Sequence, residues 1–475
     1  MCVSAKNTNE VRACTANMAD MMTDATRRSS LAEEKAFIVA TVVVSGASGF
    51  LKITMMAARS LVARGLHGRR AFSSLRSDPQ GLLARLLDVA PKDTEMDDAE
   101  RFVPLSSYTC ERQLAREKNI LFKQYPLIVG HSSMFNEPGD YLSLDLGDVP
   151  VLINKGRDDG VLRAFINVCR HRGTRLVPVG RGSTRAKRIV CPYHAWAYDA
   201  TTGDLAFVPH AKGFDAAKCA DRGLVRLPLA ERHGFVFVTP TPSSDVEAAA
   251  PDLDTFLGPT LDGDLAALDL GSHALFDERR FERSMGWKLV VDSALENYHV
   301  RVAHKDTIAA MFLDTVAIFD VLQAVGHSRL FLPKKSLRTL LTDDDPATGG
   351  EALPLLREHS NILYYIFPNT ILLVQPDHVS WLRVYPRTTD RTLFEGGTLV
   401  PRALNTPDKE AYWAKNVEIF YDAVDEDWVL GESIQEGLRS NANTHMVFGR
   451  YEQLLGEFHD AVLRACDGEA GRDET

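Results

Sequence analysis

The chain has 475 residues, 45% of them hydrophobic and 25% charged. That is a globular composition with length for two or three domains, and it excludes wholesale disorder. With 54 Lys/Arg against 64 Asp/Glu the net charge is −10, which argues against general binding to nucleic acid.

Charge is unevenly distributed. Residues 1–77 hold 11 basic and 5 acidic residues, leaving 43 basic against 59 acidic, or −16, for the rest. From Ala36 to Ser77 there is no acidic residue, while Lys52, Arg59, Arg64, Arg69, Arg70 and Arg76 are basic. The stretch opened by Met55 and Met56 is Arg- and Ser-rich and amphipathic at helical spacing, the composition of an organellar import peptide. Initiation at Met55 or Met56 would make residues 1–54 a non-functional leader. Ala36–Leu51, an apolar run of 16 residues, is shorter than the ~20 needed to cross a bilayer, although it could serve as a signal-peptide core. The expected location is a mitochondrion or other organelle, otherwise the cytoplasm, with no membrane attachment.

Residues 78–100 are polar, with prolines and an acidic end, and read as a linker. From Glu111 to Tyr125 the apolar spacing is helical. After Glu137-Pro138-Gly139 come short β-like runs separated by Asp-Gly, Gly-Arg-Gly and Thr-Gly turn signals. Residues 101–240 therefore read as a small antiparallel β domain with a lead-in, closed by the Pro-rich boundary Pro240–Pro251. Residues 252–465 alternate differently: helix from Trp287 to about Ala310, strands over 362–400, helix over 408–464, then a tail from 466. This segregation predicts an α+β domain. The seven cysteines are sparse and odd in number, which is no secreted disulfide framework.

Two cysteines sit in a metal-binding pattern. Cys169-x-His171 is followed after nineteen residues by Cys191-x-x-His194. Two thiolates and two imidazoles suit tetrahedral zinc or an iron–sulfur cluster. Together with NVCRHRGTRLV and CPYHAWAYDATTGDL, this resembles the Rieske [2Fe–2S] domain of the Rieske non-haem iron oxygenases. Ala195 stands where Gly is more usual. Histidine ligation raises such a cluster to roughly −150 to +300 mV, against about −400 mV for all-cysteine ferredoxins.

An oxygenase also needs an iron with open positions, typically held by two His and one carboxylate. His299-x4-His304 offers the pair, but five residues turn an ideal helix by about 500°, leaving the side chains about 140° apart. They converge only if the helix ends or distorts between them. Glu296 and Asp292, one and nearly two turns back, would share a face with His299.

The segment Trp287–His304 resembles the catalytic signature of the same family, and the resemblance spans about Arg101 to His459. It implies a helix-grip (START-like) catalytic domain following the Rieske domain, with mononuclear Fe(II), O2 as cosubstrate and a likeness to the oxygenase alpha subunits. By the same resemblance the third ligand is Asp427 of a Glu-Asp step, with Asp425 next among Asp422, Asp425, Glu426 and Glu432. Glu296 is implied as the bridge from a neighbouring subunit's His171 or His194 to His299, in a homotrimer. Asp292 stands where many relatives have Asn.

No G-x-G-x-x-G opens a helix, so NAD(P)H would act only through a separate reductase or ferredoxin. The patterns Glu432–Asn441 and Phe448–His459 resemble the choline, carnitine and glycine-betaine oxygenases, implying a monooxygenase of a quaternary or N-alkyl amine. Phe312, Phe319, Tyr364, Tyr365, Phe367, Trp381 and Tyr385 are candidate cage walls for such a cation, or plain core. Aromatic-ring hydroxylation is the alternative substrate reading. A Rieske electron carrier without oxygenase activity is the alternative from another class.

Overall fold

In a computed structural model, residues 79–91, 94, 96–184, 186–215, 221–242, 250–323, 325–341, 352–440 and 442–470 are described. The import-peptide expectation for residues 1–77 lies outside them. Among the described residues no helix is long and apolar enough to cross a membrane.

The first half is antiparallel β, as its turn signals predict. A five-stranded sheet runs in the order Arg226–Leu227, Leu162–Ile166, Val149–Lys155, Asp140–Leu146, Gly180–Ser183. A three-stranded sheet, Arg188–Val190, Ala197–Asp199 and Leu205–Phe207, carries the second Cys-His loop. Between these sheets Leu152, Phe165, Leu176, Trp196 and Tyr198 form a separate apolar core that includes Cys169 and Cys191.

The second half is built on a seven-stranded antiparallel sheet with the order His273–Arg283, Arg391–Pro401, Val379–Thr388, Thr370–Val374, Ser360–Ile366, Ser328–Pro333, Ile318–Val321. Strand side chains alternate between faces. Accordingly Leu363, Tyr365, Leu382 and Val384 join one apolar cluster, while Ile362, Tyr364, Ile366, Trp381 and Val379 join another. Both faces are covered, which is why ILYYIF reads as an unbroken apolar run. On the first face lie Trp287–Ala294 and the long helix Glu410–Leu438, through Trp287, Val291, Val417, Phe420 and Trp428.

Four expectations are corrected. The segment 78–100 is not a plain linker: Pro79–Val89 is a helix whose Leu82, Leu83, Leu86 and Val89 are buried on the second face. Arg85 ties it to the edge strand, donating to Asp320 Oδ1 at 2.6 Å and Phe319 O at 3.0 Å. The tail begins later than residue 466, because the helix Gln453–Ala470 buries Cys466. The helix expected over 408–464 is two helices, parted by the strand His445–Phe448, which pairs with Arg101–Pro104.

The helix from Trp287 also stops at Ala294, well short of Ala310. Its start is fixed by a buried ion pair. Glu117, fully buried, accepts from Lys288 Nζ at Oε1 and from the Trp287 indole N–H at Oε2, 3.0 Å away. Removing one partner of a buried pair leaves an uncompensated charge. Glu117→Ala should therefore cost about 3–5 kcal/mol in chemical denaturation. The double variant Glu117→Gln/Lys288→Met should recover most of that loss; an equal or larger loss would contradict the pair's role.

Candidate functional site

Two loops of like construction present the first constellation. In one, Cys169 N–H donates to Thr174 O at 2.8 Å and Gly173 N–H to Cys169 O at 3.0 Å. In the other, Cys191 N–H donates to Trp196 O at 2.8 Å and Ala195 N–H to Cys191 O at 3.1 Å. Gly173 and Ala195 close these turns with φ of +81° and +57°. A left-handed residue is required there, and that explains why Gly is the usual occupant opposite Ala195.

Both cysteines are free and buried, whereas His171 is half-buried and His194 exposed. The two imidazole rings lie 4.7 Å apart. Trp196 stacks on His171 at 4.9 Å and 6°. The Nδ1 of His171 is buried without a hydrogen-bond partner, the condition of an atom reserved for a metal. Two buried thiols and two imidazoles, one with an orphaned nitrogen, fit a cluster held by Cys169, Cys191, His171 and His194. The Tyr198 hydroxyl accepts from Arg170 N–H at 2.8 Å, so its own hydrogen is free for Cys169 Sγ at 3.2 Å. This tyrosine was not singled out in the sequence.

The second constellation depends on the helix break after Ala294. His299 precedes the short helix Val300–Ala303 and His304 follows it, so the ideal-helix separation does not apply. Their Nε2 atoms approach to 3.2 Å. Asp427 Oδ1 lies 3.2 Å from His304 Nε2 and 3.5 Å from His299 Nε2. An ion with bonds of about 2.0–2.2 Å at right angles separates neighbouring donors by about 3 Å. The three atoms thus fit one face of an ion, leaving its other side toward the cavity, the arrangement of a non-haem iron triad.

Asp427 reaches this point because Phe420, Ala423, Val424 and Asp427 fall on one face of the long helix, all lining the same cavity. The other acidic candidates are elsewhere. Asp425 is paired with Arg283, Glu432 accepts from Ser284 N–H at 2.9 Å, and Asp422 is exposed. Glu426 stands behind the site, accepting from His304 Nδ1 at 2.8 Å and Thr307 Oγ1 at 2.6 Å. Glu296 occupies the matching place beside His299: its Oε1 meets Nδ1, and its Oε2 accepts the backbone N–H groups of Tyr298 and His299. Each imidazole is thereby fixed with Nε2 free for a metal.

Burial disfavours the charged form of both histidines, but Glu296 and Asp427 at His299, and Asp427 and Glu426 at His304, outweigh it and raise their pKa values. The site is thus preorganised for positive charge. Asp292, expected on the same face as Glu296, instead faces away, accepting from Tyr108 Oη at 2.6 Å and lying 3.0 Å from His459 Nε2. A cavity of about 160 Å³ adjoins the triad. Of the proposed cage walls only Phe312 lines it; Phe319, Tyr364, Tyr365, Phe367, Trp381 and Tyr385 are core residues.

Residues 126–221 match the Rieske [2Fe-2S] domain, and residues 272–468 match the ring hydroxylating alpha subunit catalytic domain. The chain is 28% identical over 433 residues to the glycine betaine monooxygenase oxygenase subunit of Chromohalobacter salexigens, covering 84% of this chain and 93% of that one. It is 28% identical over 350 residues to the carnitine monooxygenase oxygenase subunit of Acinetobacter pittii, covering 71% and 85%. Among solved structures, a quaternary ammonium Rieske monooxygenase in complex with L-carnitine shares the fold with a TM-score of 0.62 at 24% identity, over 78% of this chain and 96% of that one.

Two substitutions test these assignments. Asp427→Ala should abolish retention of mononuclear iron in a metal assay, whereas Asp425→Ala should leave it intact; the reverse pattern would move the third ligand. Tyr198→Phe removes a hydrogen bond to Cys169 Sγ and, if that sulfur holds the cluster, should lower the midpoint potential in a redox titration. An unchanged potential would mean that the hydroxyl does not donate to Cys169.

Proposed function

We propose that this chain, which belongs to the Rieske oxygenase alpha-subunit family, is a monooxygenase of a small N-alkyl or quaternary amine. Its domain matches make it an oxidoreductase that incorporates molecular oxygen, with a [2Fe–2S] cluster and a mononuclear iron. The cluster supplies electrons one at a time, and the iron supplies oxygen activation beside the substrate.

The observation that carries the reading is the convergence of His299, His304 and Asp427 at the end of a largely apolar cavity. In this reading Asp427 and the two Nε2 atoms hold the iron, Glu426 keeps the His304 ring in place, and the cavity walls exclude water from the reacting carbon. The amine preference is supported by the two relatives, whose names specify glycine betaine and carnitine. The apolar walls favour the second reading, hydroxylation of a small aromatic ring.

Glu296 is assigned the bridging role. Its carboxylate holds His299 Nδ1, and exposed Tyr298 beside it marks a face open to a second molecule. His194, exposed at the cluster end, is the natural complement. One chain's cluster histidine would then meet another chain's Glu296 in a head-to-tail ring, with a trimer as the expected assembly. A separate reductase or ferredoxin would supply the electrons, and an organellar leader in residues 1–77 remains part of the proposal.

Single turnover of the iron-loaded, chemically reduced protein under ¹⁸O2 needs no reductase. One labelled oxygen in a hydroxylated amine, or in the aldehyde released when the amine is dealkylated, is the expected product by mass spectrometry. A doubly labelled arene cis-diol would instead establish dioxygenation of a ring. In the same assay Glu296→Gln should keep both metal centres loaded yet lose product formation; unaltered turnover would remove the bridge.

A further inference from the structure

The cavity beside the triad is lined without a basic Lys or Arg side chain among the described residues. Its volume of about 160 Å³ is close to the ~150 Å³ of an apolar cavity that accepts benzene. Most of the wall is apolar, including Val290, Met311, Leu363 and Leu382, with Phe312, Phe420 and Trp428 supplying aromatic surface. Asn361, Gln375 and Ser380 add uncharged polar groups on the sheet side. The ionisable lining residues are Glu296, Asp427, His299 and His304.

Among the described residues no Lys or Arg lines this space. The basic residues flanking it are turned to other partners. Lys334 donates to Glu358 O at 3.0 Å, Arg357 donates to Gln375 O at 3.0 Å, and Arg301 lies 3.2 Å from Asp314. Arg283 covers Trp428 at 4.7 Å and pairs with Asp425. Iron(II) held by the triad would offset the charge of Asp427 and Glu296, but a carboxylate entering the cavity would lose its hydration and find no side-chain cation in the wall. A cation of the same size meets three aromatic surfaces instead, those of Phe312, Phe420 and Trp428.

We infer that this site admits small uncharged or singly cationic molecules and rejects those bearing a carboxylate. Among amines it takes amino-alcohol or plain alkylammonium cations, not the betaine type named by the relatives. The inference rests on the oxygenase reading of the triad and narrows its substrate class.

The test uses the anaerobic, iron-loaded full chain treated with nitric oxide, reading the iron–nitrosyl paramagnetic resonance during titration. The probes are choline, tetramethylammonium, glycine betaine, L-carnitine and toluene. Choline or tetramethylammonium should perturb the signal at concentrations about 30-fold or more below either carboxylated amine, the scale of leaving a buried charge unpaired. Gln375→Arg, which adds a cation to the wall, should narrow that gap at least tenfold; Gln375→Lys serves if the first variant fails to fold. Glycine betaine or carnitine acting as strongly as choline overturns the inference and leaves the amine reading intact. Toluene acting alone overturns the amine reading while the exclusion of carboxylates stands.

Discussion

The end of the helix at Ala294 is the constraint on which the site depends. Had the helix continued, His299 and His304 would diverge by about 140° and could not share an ion. Glu296 holds the break: one carboxylate oxygen accepts the Tyr298 and His299 backbone N–H groups, and the other holds the His299 ring. A single side chain thus shapes the turn and fixes the tautomer. Upstream, Glu117 pins Lys288 and Trp287 in the protein interior and fixes where the helix starts.

The scaffold divides its tasks by strand parity. One set of alternating side chains forms the inner core with the outer helices, and the other faces the long helix and the cavity. Because the period is two, a cavity can open on one face while the opposite face stays fully packed. The long helix contributes in the same way. Its inward stripe gives apolar wall and one carboxylate to the ion site, while Asp425 and Glu432 on other faces engage the strand–helix junction through Arg283 and Ser284. The cluster loops follow a different logic, two tight turns each closed by a left-handed residue, with thiols inward and imidazoles outward.

What the sequence revealed follows from how local each feature is. The Cys-His pairs were legible because their ligands are neighbours along the chain. His299 and His304 were legible as a pair, but the backbone that unites them was not, since helical spacing predicts divergence. Asp427 stood out by resemblance alone; the 420-423-424-427 stripe, seen once the cavity is known, was a second signal left unused. Glu426 and Tyr198 went unread in their actual roles because each acts through a partner far away in sequence, His304 and Cys169. Pro79–Val89 looked like linker because its apolar stripe is short and its stabilising partners, Asp320 and the sheet's second face, lie more than two hundred residues on.

The most direct measurement is a crystal structure of the iron-loaded protein with anomalous scattering recorded at the iron edge. The account predicts a single iron peak about 2.0–2.2 Å from His299 Nε2, His304 Nε2 and Asp427 Oδ1, separate from a double peak among Cys169, Cys191, His171 and His194. No peak at the triad, or a peak held by Asp425 or Glu426 in place of Asp427, would contradict it.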